Sequence, residues 1–443
     1  MKKYISKIAL YAAAALSLAL GFTACEDEPD KFELAGGKPT IHYIRPIKVE
    51  AADSLLTSAY MGNGICIVGD NLRSVYKMLF NDQEAVLNNS YITDHTILVN
   101  VPNEIPGEVS NLIYFVTKGR DTVKYDFKVL VPAPVISSMS NEYAAPGSVA
   151  TLYGDYFVDD PNVPLKVFVG ETQADIKNIT KGAIDFVVPD VAEAALKVTN
   201  IYGEAKSTFH YKDSRGMLFT FDDNQGHPSN HGWHAMVVET DETALDGNFL
   251  RLGGTDVTMD EDGGWDDSHF SFEYWPGDWD DPVSYADSPR LTDFADFSSW
   301  NTMALKFELY IPSSNPWKAG AMQLIIGGVD VVTDGAEGAV DIFGNVTGGA
   351  NNKFISGDGK PQAPRALWIP WKDSGSFDTG DKWITVAIPY TEFNKKSDGT
   401  ANTEDIKPES FTSLTIFVWS GGVTGTDCQP IMKIDNIRAV PYK

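Results

Sequence analysis

The feature that most restricts the fold is a pattern of short strands that occurs twice in the first half of the chain. Two Gly-Asp pairs, Gly69-Asp70 and Gly154-Asp155, lie 85 residues apart within this pattern. Gly, Pro and Asn turns separate the strands, and no helical period is sustained. Each copy is therefore predicted to be an all-β unit of about 100 residues or fewer, the size of an immunoglobulin-like sandwich. The matching segments are PTIHYI, CIVGDNL, MLFND and TILVNVP, followed by PVISSM, TLYGDYF, VFVGE and IDFVVP.

Each Gly-Asp pair is predicted to occupy a turn that ends a buried strand, because glycine tolerates a positive φ angle there. The two units resemble IPT/TIG domains, which are immunoglobulin-like modules common in extracellular spacers. The resemblance implies one such domain over residues 38–132 and a second over residues 133–212. A spacer role follows from the same resemblance.

Residues 213–443 are predicted to form a third and larger domain. All ten tryptophans of the chain lie in this part, and its strand-like segments are longer and more aromatic than those before it. In LKFELYI the period of two gives one apolar face and one mixed face. This pattern is typical of an antiparallel sandwich, and we predict a jelly-roll-like fold. The apolar face carries Leu305, Phe307, Leu309 and Ile311, and the other face carries Lys306, Glu308 and Tyr310.

Six aromatic residues are predicted to contact a ligand, because they fall in polar loops or at strand ends. Trp275 shares its strand face with polar neighbours, and Trp279 follows the Pro-Gly turn among aspartates. Tyr274 lies on the core side of the same strand, where its hydroxyl could reach a ligand at the strand end. Trp371, Trp383 and Trp300 are predicted to pack in the core or at its edge, and Trp317 is left open. The six predicted ligand contacts are Trp233, Trp265, Tyr274, Trp275, Trp279 and Trp368.

An exposed indole ring beside carboxylates and amides suits a sugar. The flat C–H face of the sugar covers the ring, while its hydroxyl groups need hydrogen-bond acceptors. If a ring covers about 50 Å² of apolar sugar surface, each contact contributes about 1 kcal/mol. An extended polymer that touches several rings is thus a better ligand than a monosaccharide. The alternative is that these aromatic loops pack on each other.

The charge of the chain restricts the ligand further. The net charge is −26, and residues 216–443 carry 35 acidic against 15 basic side chains. Such a surface repels nucleic acids and other polyanions. A neutral polymer is the favoured partner.

The sequence gives little support for a metal site or a catalytic site. His227, His231 and His234 lie close in sequence but have no regular scaffold, so a surface or hydrogen-bonding role is favoured. A structural calcium ion near the first and last strands, through Asp222 and Asp435, would resemble many carbohydrate-binding jelly rolls. No nucleophile elbow, phosphate loop or HExxH motif is present, so we expect no cofactor and no catalysis.

The N-terminus has the pattern of an export signal. Three lysines precede an apolar segment that is shorter than a membrane span and ends in small residues before Cys25. We predict a signal peptide over residues 1–24. Cys25 resembles the lipidated cysteine of bacterial lipoproteins, and residues 25–37 form an acidic linker. Of the other cysteines, Cys66 and Cys428 are predicted to be buried free thiols, with a disulfide between them as the alternative.

The order of these parts resembles the surface glycan-binding lipoproteins of Bacteroidetes polysaccharide-utilisation systems. The resemblance rests on the lipobox-like cysteine, the acidic tag, two IPT/TIG-like units and a Trp-rich domain that ends in IDNIRAVP. It implies a non-catalytic protein, lipid-anchored at the outer face of the outer membrane. Its ligand would be a neutral polysaccharide, often a β-glucan such as xyloglucan or mixed-linkage glucan. Its partners would be an outer-membrane transporter and that transporter's partner lipoprotein.

Two other functions remain open from the sequence. A surface adhesin or structural protein would use the aromatic loops to bind a protein partner. An endo-acting glycanase would need two carboxylates across a scissile bond, and the many acidic residues of the chain neither support nor exclude such a pair.

Overall fold

The computed structural model describes residues 34, 36–51, 53–222, 236–264, 269–274, 289–326 and 362–442. Within these residues the regular elements are β-strands and short 3₁₀ helices, which confirms the predicted all-β class. None of the described helices has the length and apolar character needed to cross a bilayer. The predicted signal peptide and Cys25 lie outside the described residues. The 3₁₀ helices span Val49–Ala51, Leu72–Ser74, Asn89–Tyr91, Leu291–Asp293, Trp300–Thr302, Tyr390–Glu392 and Pro408–Ser410.

The chain forms two compact units, Met1–Pro132 and Ala133–Lys443. The first unit is a sandwich of two antiparallel sheets with strand orders β1-β3-β6 and β5-β4-β7-β8, plus a parallel β2-β9 pair. Its strands are β1 (Thr40–Pro46), β2 (Ser58–Tyr60), β3 (Gly64–Asp70), β4 (Val75–Phe80), β5 (Gln83–Glu84), β6 (Thr96–Asn100), β7 (Leu112–Thr117), β8 (Thr122–Asp126) and β9 (Lys128–Leu130).

The second unit begins with another sandwich, with strand orders β10-β11-β15-β14 and β13-β12-β16-β17. Its core contains Leu152, Val167, Phe186, Val198 and Phe209. Its strands are β10 (Val135–Met139), β11 (Val149–Asp155), β12 (Lys166–Val169), β13 (Thr172–Gln173), β14 (Asp175–Ile179), β15 (Ala183–Val187), β16 (Ala194–Asn200) and β17 (Gly203–Tyr211).

The two Gly-Asp pairs occupy the same structural position, but the reason for glycine differs from the prediction. Neither Gly69 nor Gly154 is among the residues with positive φ. Each lies in a strand beside a bulge of the paired strand, where an added Cβ would stand 2.1 Å from Thr40 O and 1.9 Å from Val135 O. Close approach of two backbones, and not a left-handed turn, therefore excludes a side chain here.

The remainder of the second unit is a larger sandwich built from two antiparallel sheets. One sheet has the order β19-β20-β27-β22-β25, with β18 also paired to β27, and the other has the order β21-β26-β23-β24. The strands are β18 (Met217–Phe219), β19 (Val238–Glu239), β20 (Phe249–Gly253), β21 (Ser271–Tyr274), β22 (Met303–Tyr310), β23 (Ala321–Ile326), β24 (Arg365–Trp368), β25 (Ile384–Pro389), β26 (Leu414–Trp419) and β27 (Ile431–Pro441).

The alternation predicted for β22 is confirmed on its apolar face, since Leu305, Phe307, Leu309 and Ile311 all belong to the core between the two sheets. The opposite face of β22 is also buried. There Glu142, from the preceding sandwich, accepts from Lys306 Nζ at 2.5 Å and from Arg438 at 2.7 Å. We call this outer surface around Lys306, Glu308 and Arg438 the docking face, because the preceding sandwich covers it.

The docking face is held by a network of hydrogen bonds and ion pairs. Arg438 also donates to Glu308 at 2.9 Å, and Thr385 Oγ1 donates to the other oxygen of Glu308 at 2.7 Å. The backbone N–H of Glu142 donates to Thr385 Oγ1, and that of Thr385 donates to Ser140 O. Burial raises the pKa of Glu308 even though the charge of Arg438 opposes the shift, and the negative charge of Glu142 adds to the increase. The second and third sandwiches consequently form one compact unit.

The two cysteines within the described residues are free and buried, which confirms the prediction for Cys66 and Cys428. Burial raises the pKa of both thiols. Each therefore stays protonated at neutral pH and acts as a small apolar side chain.

Candidate functional site

The outer side of the β21-β26-β23-β24 sheet carries aromatic and polar side chains, most of which are buried. On β26, Leu414, Ile416 and Val418 enter the core, so Thr415, Phe417 and Trp419 point to the other side. The strand register places the alternate residues of the neighbouring strands on the same side. We call this surface the aromatic face. It carries Ser271, Glu273, Ala321, Gln323, Ile325, Arg365, Leu367, Thr415, Phe417 and Trp419.

Two aromatic rings lie at the centre of this surface. Phe417 and Trp419 are half-buried, and their ring centroids are 6.0 Å apart with an interplanar angle of 66°. They are i and i+2 on one strand, and neither belongs to the core between the sheets. The two rings thus form a continuous apolar surface along β26.

Polar side chains from the other three strands surround these rings. Gln323 on β23 receives a hydrogen bond from Arg365 Nη1 at 2.6 Å and donates from Nε2 to Trp419 O at 2.8 Å. Glu273 on β21 stands opposite Thr415 in the register. Burial lowers the pKa of Arg365 to about 10, and the charge of Asp398 opposes this shift. The guanidinium is therefore still charged at neutral pH. Arg365 and Glu273 are each only 1% exposed, so both charges are buried beneath this surface.

Tyr274 is the predicted ligand contact whose position changes most. It belongs to the core between the sheets and is 1% exposed. Its hydroxyl donates to Pro289 O at 2.6 Å, and its ring packs edge-on against Phe219 with centroids 5.1 Å apart. The alternation of side chains already predicted that Tyr274 lies on the inward face of β21. A side chain on this buried face has no surface on which a sugar could bind. Tyr274 is a core residue in this structure, which corrects its selection as a ligand contact.

Trp368 is half-buried at the end of β24. The prediction put it on the opposite side of its strand from Leu367, Ile369 and Trp371. The structure reverses these faces, since Ala366 and Trp368 pack toward the core and Leu367 points outward. The Trp368 ring lies 5.8 Å from that of Trp317 and 5.6 Å from that of Phe377. Its role as a ligand contact stays a prediction.

The other four predicted ligand contacts, Trp233, Trp265, Trp275 and Trp279, lie outside the described residues, as do the three histidines at 227, 231 and 234. Their roles stay predictions.

The remaining tryptophans agree with the sequence-based assignments where one was made. Trp371 and Trp383 are buried and donate from Nε1 to Gly320 O and Thr243 O, respectively. Trp300 is half-buried against Phe411. Trp317, which the sequence left open, is fully buried and donates to Ala319 O. Each buried indole N–H thus has a backbone acceptor.

The sequence-based choice missed Phe417 and Trp419, although the signal was present. In LTIFVW the period of two separates Thr415, Phe417 and Trp419 from three aliphatic residues. Two bulky aromatics on the face opposite an aliphatic core stripe mark either a second buried layer or an exposed platform. The prediction favoured tryptophans in loops and therefore did not include the residues of this strand.

One cluster among the described residues has spacing suited to a metal ion: Glu193, His210 and Asp213. Its ligand atoms are already engaged. His210 Nδ1 lies 2.7 Å from Glu193 Oε1, and both oxygens of Asp213 accept from Arg215 at 2.7–2.8 Å. A cation in this position would have to displace the guanidinium, so the cluster is explained as a hydrogen-bonded linker between β17 and β18.

The geometry therefore defines an antiparallel β-sandwich protein with two half-buried aromatic rings on the outer side of one sheet. Residues 211–441, just over half of the chain, match the family model described as the surface glycan-binding protein B xyloglucan-binding domain. The crystal structure of the surface glycan-binding protein PbSGBP-B from Prevotella bryantii is 45% identical and has a TM-score of 0.82. The match covers 93% of this chain and 100% of that one.

A curated relative carries the IPT/TIG name. An IPT/TIG domain-containing protein of Bacteroides ovatus is 33% identical over 146 residues, which is 32% of this chain and 29% of that protein. This chain thus matches less than a third of that relative's length.

The chain belongs to the surface glycan-binding protein B family. Membership confirms the predicted function class, a non-catalytic protein that binds glycan at the cell surface. It also disfavours the two alternative functions, a surface adhesin and a glycanase, because the family is defined by glycan binding and not by hydrolysis.

Proposed function

We propose that the aromatic face binds a neutral β-glucan chain, with xyloglucan as the first candidate and mixed-linkage glucan as the second. The observation that carries the proposal is the pairing of Phe417 and Trp419 on one strand with Glu273, Gln323 and Arg365 on the adjacent strands. The match of residues 211–441 to a xyloglucan-binding domain supports the choice of ligand.

The two rings would cover the C–H faces of successive sugar units. At about 50 Å² of apolar surface per ring, the two contacts together contribute about 2 kcal/mol. A net of a few kcal/mol corresponds to weak, roughly millimolar or weaker, binding per short segment. Affinity for the polymer would then grow with the number of sugar units in contact.

The sheet surface also fits the charge of the domain. The carboxylate of Glu273 and the excess of acidic residues over this half of the chain disfavour polyanionic glycans.

Affinity electrophoresis of the full chain tests the proposal. Native gels would contain xyloglucan, mixed-linkage β-glucan, galactomannan or arabinoxylan, with a polymer-free gel as reference. We expect retardation by one or both β-glucans. Trp419→Ala should weaken binding by about fivefold, the equivalent of about 1 kcal/mol.

Tyr153→Ala is the matched control, because Tyr153 is 44% exposed on β11 in the preceding sandwich. It should bind like the unmodified protein. Retardation by no polymer would contradict glycan binding by this chain. Unchanged binding by Trp419→Ala would mean that the aromatic face is not the glycan site, although the chain still binds glycan.

We also propose that Cys25 carries the lipid anchor and that the chain passes its glycan to an outer-membrane transporter and the partner lipoprotein of that transporter. The small residues before Cys25 and the acidic segment after it support this proposal. Membrane fractionation of cells that express Cys25→Ala tests the anchor: we expect the variant in the soluble fraction, and retention in the membrane fraction would contradict lipidation at this residue. Affinity purification of the unmodified chain should recover the transporter and its partner lipoprotein.

A further inference from the structure

The first unit has a groove on its surface with a volume of about 770 Å³. Sites for small molecules occupy roughly 300–1,000 Å³, so this size is typical of a ligand site. The walls come from the residue after β1, from β5 and the segment after it, and from β6 with the residues that follow it. Three segments that are separate in sequence therefore meet at one concave surface.

Large apolar side chains are exposed around this groove. Val86 is 90% exposed, Tyr91 55% and Ile47 40%. All three line the groove, although Ile47 follows β1, Val86 follows β5 and Tyr91 ends a 3₁₀ helix. Clustered apolar exposure of this kind marks an interaction site more often than a bare surface. A ligand with an apolar face can cover these side chains, and Tyr91 supplies an aromatic ring for it.

The backbone of β6 has open hydrogen-bonding groups beside these side chains. β6 is an edge strand of the β1-β3-β6 sheet. The N–H of Val101 donates to Asn63 O at 2.9 Å, so by alternation Leu98 and Asn100 direct their backbone groups away from β3. The N–H and C=O of Asn100 and the C=O of Leu98 make no hydrogen bond with other described residues. Both residues line the groove, which therefore presents backbone donors and acceptors next to apolar surface.

The polar side chains of the groove favour a neutral ligand. Asn100 and Asn103 are exposed, and each carboxamide can both donate and accept hydrogen bonds. The charged side chains among the described lining residues are Glu84 and Glu104, with no lysine, arginine or histidine. Polyanions are therefore disfavoured. Exposed apolar groups beside amides and carboxylates suit a ligand with a C–H face and many hydroxyl groups.

An extended peptide strand is the other ligand that an open sheet edge can take. Strand addition uses successive backbone groups, whereas most of the edge of β6 is already closed. Thr93 N–H donates to Thr96 O at 2.8 Å, and Thr96 N–H donates to Thr93 Oγ1 at 2.8 Å. Beyond the other end of β6, Pro102 has no N–H to donate. The short open stretch at Leu98 and Asn100 thus favours a small ligand over an added strand.

We propose that this groove is a second glycan-binding site, which takes a short segment of the same neutral polysaccharide as the aromatic face. The ring of Tyr91 would cover the C–H face of one sugar unit, and Asn100 and Asn103 would exchange hydrogen bonds with its hydroxyl groups. The single ring makes this the weaker of the two sites. The inference rests on the proposed function, because the chain must bind a neutral glycan, but it uses no residue of the aromatic face. It gives the first unit a role beyond that of a spacer.

Oxidative footprinting of the full chain tests this inference. Hydroxyl radicals oxidise exposed aromatic side chains, and mass spectrometry of the digested protein gives the oxidation rate of each one. The probes would be oligosaccharides of xyloglucan and, in a second series, of mixed-linkage β-glucan. Concentrations up to about 50 mM would occupy most of a site with a dissociation constant of roughly 10 mM. Because sugars consume the radical, the rate at Tyr91 is divided by that at Tyr60, which is 57% exposed in the same unit and does not line the groove.

We expect the relative oxidation rate of Tyr91 to fall at least about twofold near saturation. A double variant, Asn100→Ala with Asn103→Ala, keeps Tyr91 as the reporter and removes two groups that bind hydroxyls. It should bind the sugar at least about tenfold more weakly, so most of the protection of Tyr91 should be lost. Asn162→Ala is the matched control at an exposed position of the second sandwich, and it should behave like the unmodified protein.

Trp419 reports the aromatic face in the same experiment, so failure of this inference can be distinguished from failure of the proposed function. Protection of Trp419 without protection of Tyr91 would overturn the second site and leave the groove to a protein partner. Equal protection of Tyr91 in the double variant and the unmodified protein would also overturn it. Protection of Tyr91 alone would support the second site and contradict the aromatic face. Protection of neither side chain by either series would contradict both proposals.

Discussion

The two sheets of the C-terminal sandwich share one core but use their outer surfaces differently. The outer surface of the sheet that contains β22 and β27 is covered by the preceding sandwich, through the ion network of Glu142, Lys306, Glu308 and Arg438. The outer side of the other sheet carries Phe417 and Trp419, which are half-buried, among polar side chains that are themselves buried. One surface therefore fixes a neighbouring domain, and the other keeps two partly exposed aromatic rings, which we propose as ligand contacts.

Polar residues are buried on both outer surfaces, but their surroundings differ. On the docking face the charges are fully paired, so their arrangement depends on a domain that must be in place. On the aromatic face the polar groups lie beside apolar rings, as in sites where a few polar groups orient a ligand on an apolar surface. Changes on the first surface should alter stability, and changes on the second should alter affinity.

The largest expected effect is on the docking face. Glu142→Ala leaves Lys306 and Arg438 buried with one carboxylate fewer, so the free energy of unfolding should fall by about 3–5 kcal/mol. Urea unfolding of the full chain, followed by intrinsic fluorescence, measures this change. Glycan retardation of the folded variant should be unchanged.

Glu84→Ala is a matched control for Glu142→Ala, because it breaks the exposed pair of Glu84 with Lys77 in the first unit and should have no measurable effect. A loss below about 1 kcal/mol for Glu142→Ala would mean that the network contributes as little as a surface pair.

The second effect is on the aromatic face. Replacement of both Phe417 and Trp419 by alanine should weaken β-glucan binding by about 30-fold, the equivalent of about 2 kcal/mol. Isothermal titration with a soluble oligosaccharide of the retarding glucan measures the affinity. The urea midpoint should change much less than for Glu142→Ala, since neither ring belongs to the core. A large drop in stability with unchanged affinity would mean that the two rings stabilise the fold and do not contact the glycan.

The third effect separates the inner and outer surfaces of the same sheet. Tyr274→Phe removes the hydrogen bond to Pro289 O and keeps the ring, so the free energy of unfolding should fall by about 1 kcal/mol. Affinity for glucan should stay within about twofold, because the side chain faces the core. A clear loss of affinity at normal stability would restore Tyr274 as a ligand contact.

The smallest effect concerns a partly exposed ion pair beside the docking face. Burial favours a higher pKa for Asp241, but hydrogen bonds from Lys433 and Thr243 lower the pKa overall. A carboxyl group with a depressed folded-state pKa stabilises the protein above its unfolded-state pKa of about 3.9, and this contribution disappears as the pH falls through the lower folded-state value. Asp241→Asn should thus reduce stability by at most about 1 kcal/mol at pH 7.

The pH profile of this variant supplies the check. The difference in unfolding midpoint between Asp241→Asn and the unmodified protein should shrink as the pH falls below about 4. A difference that is constant from pH 7 to pH 3 would mean that Asp241 acts through packing or neutral hydrogen bonds and not through its charge.

Much of the fold could be predicted because it depends on local pattern. Alternation in β22 identified the residues that enter the core, and the spacing of Gly69 and Gly154 identified a repeated unit with the same bulge. The reason for glycine was not predictable, since a clash with Thr40 O or Val135 O depends on a paired strand about 20–30 residues away in sequence.

The candidate site was harder to predict. A period of two predicts which residues share a face of a strand, but it does not predict what covers that face. It therefore could not show that Trp368 packs against the core or that Phe417 is half-buried on the outer side of its sheet. Loop tryptophans such as Trp275 and Trp279 were chosen on composition, and they lie outside the described residues.

The sequence by itself determined the all-β class, the apolar stripe of each strand and the acidic character of the surface, because these depend on neighbouring residues and on composition. The tertiary structure alone decided the uses of the two outer surfaces. Lys306 and Glu308 alternate with core residues as solvent-facing side chains would, yet they are buried by Glu142, which lies 164 residues before Lys306. Such burial depends on long-range contacts between separate domains, and no local period encodes these contacts.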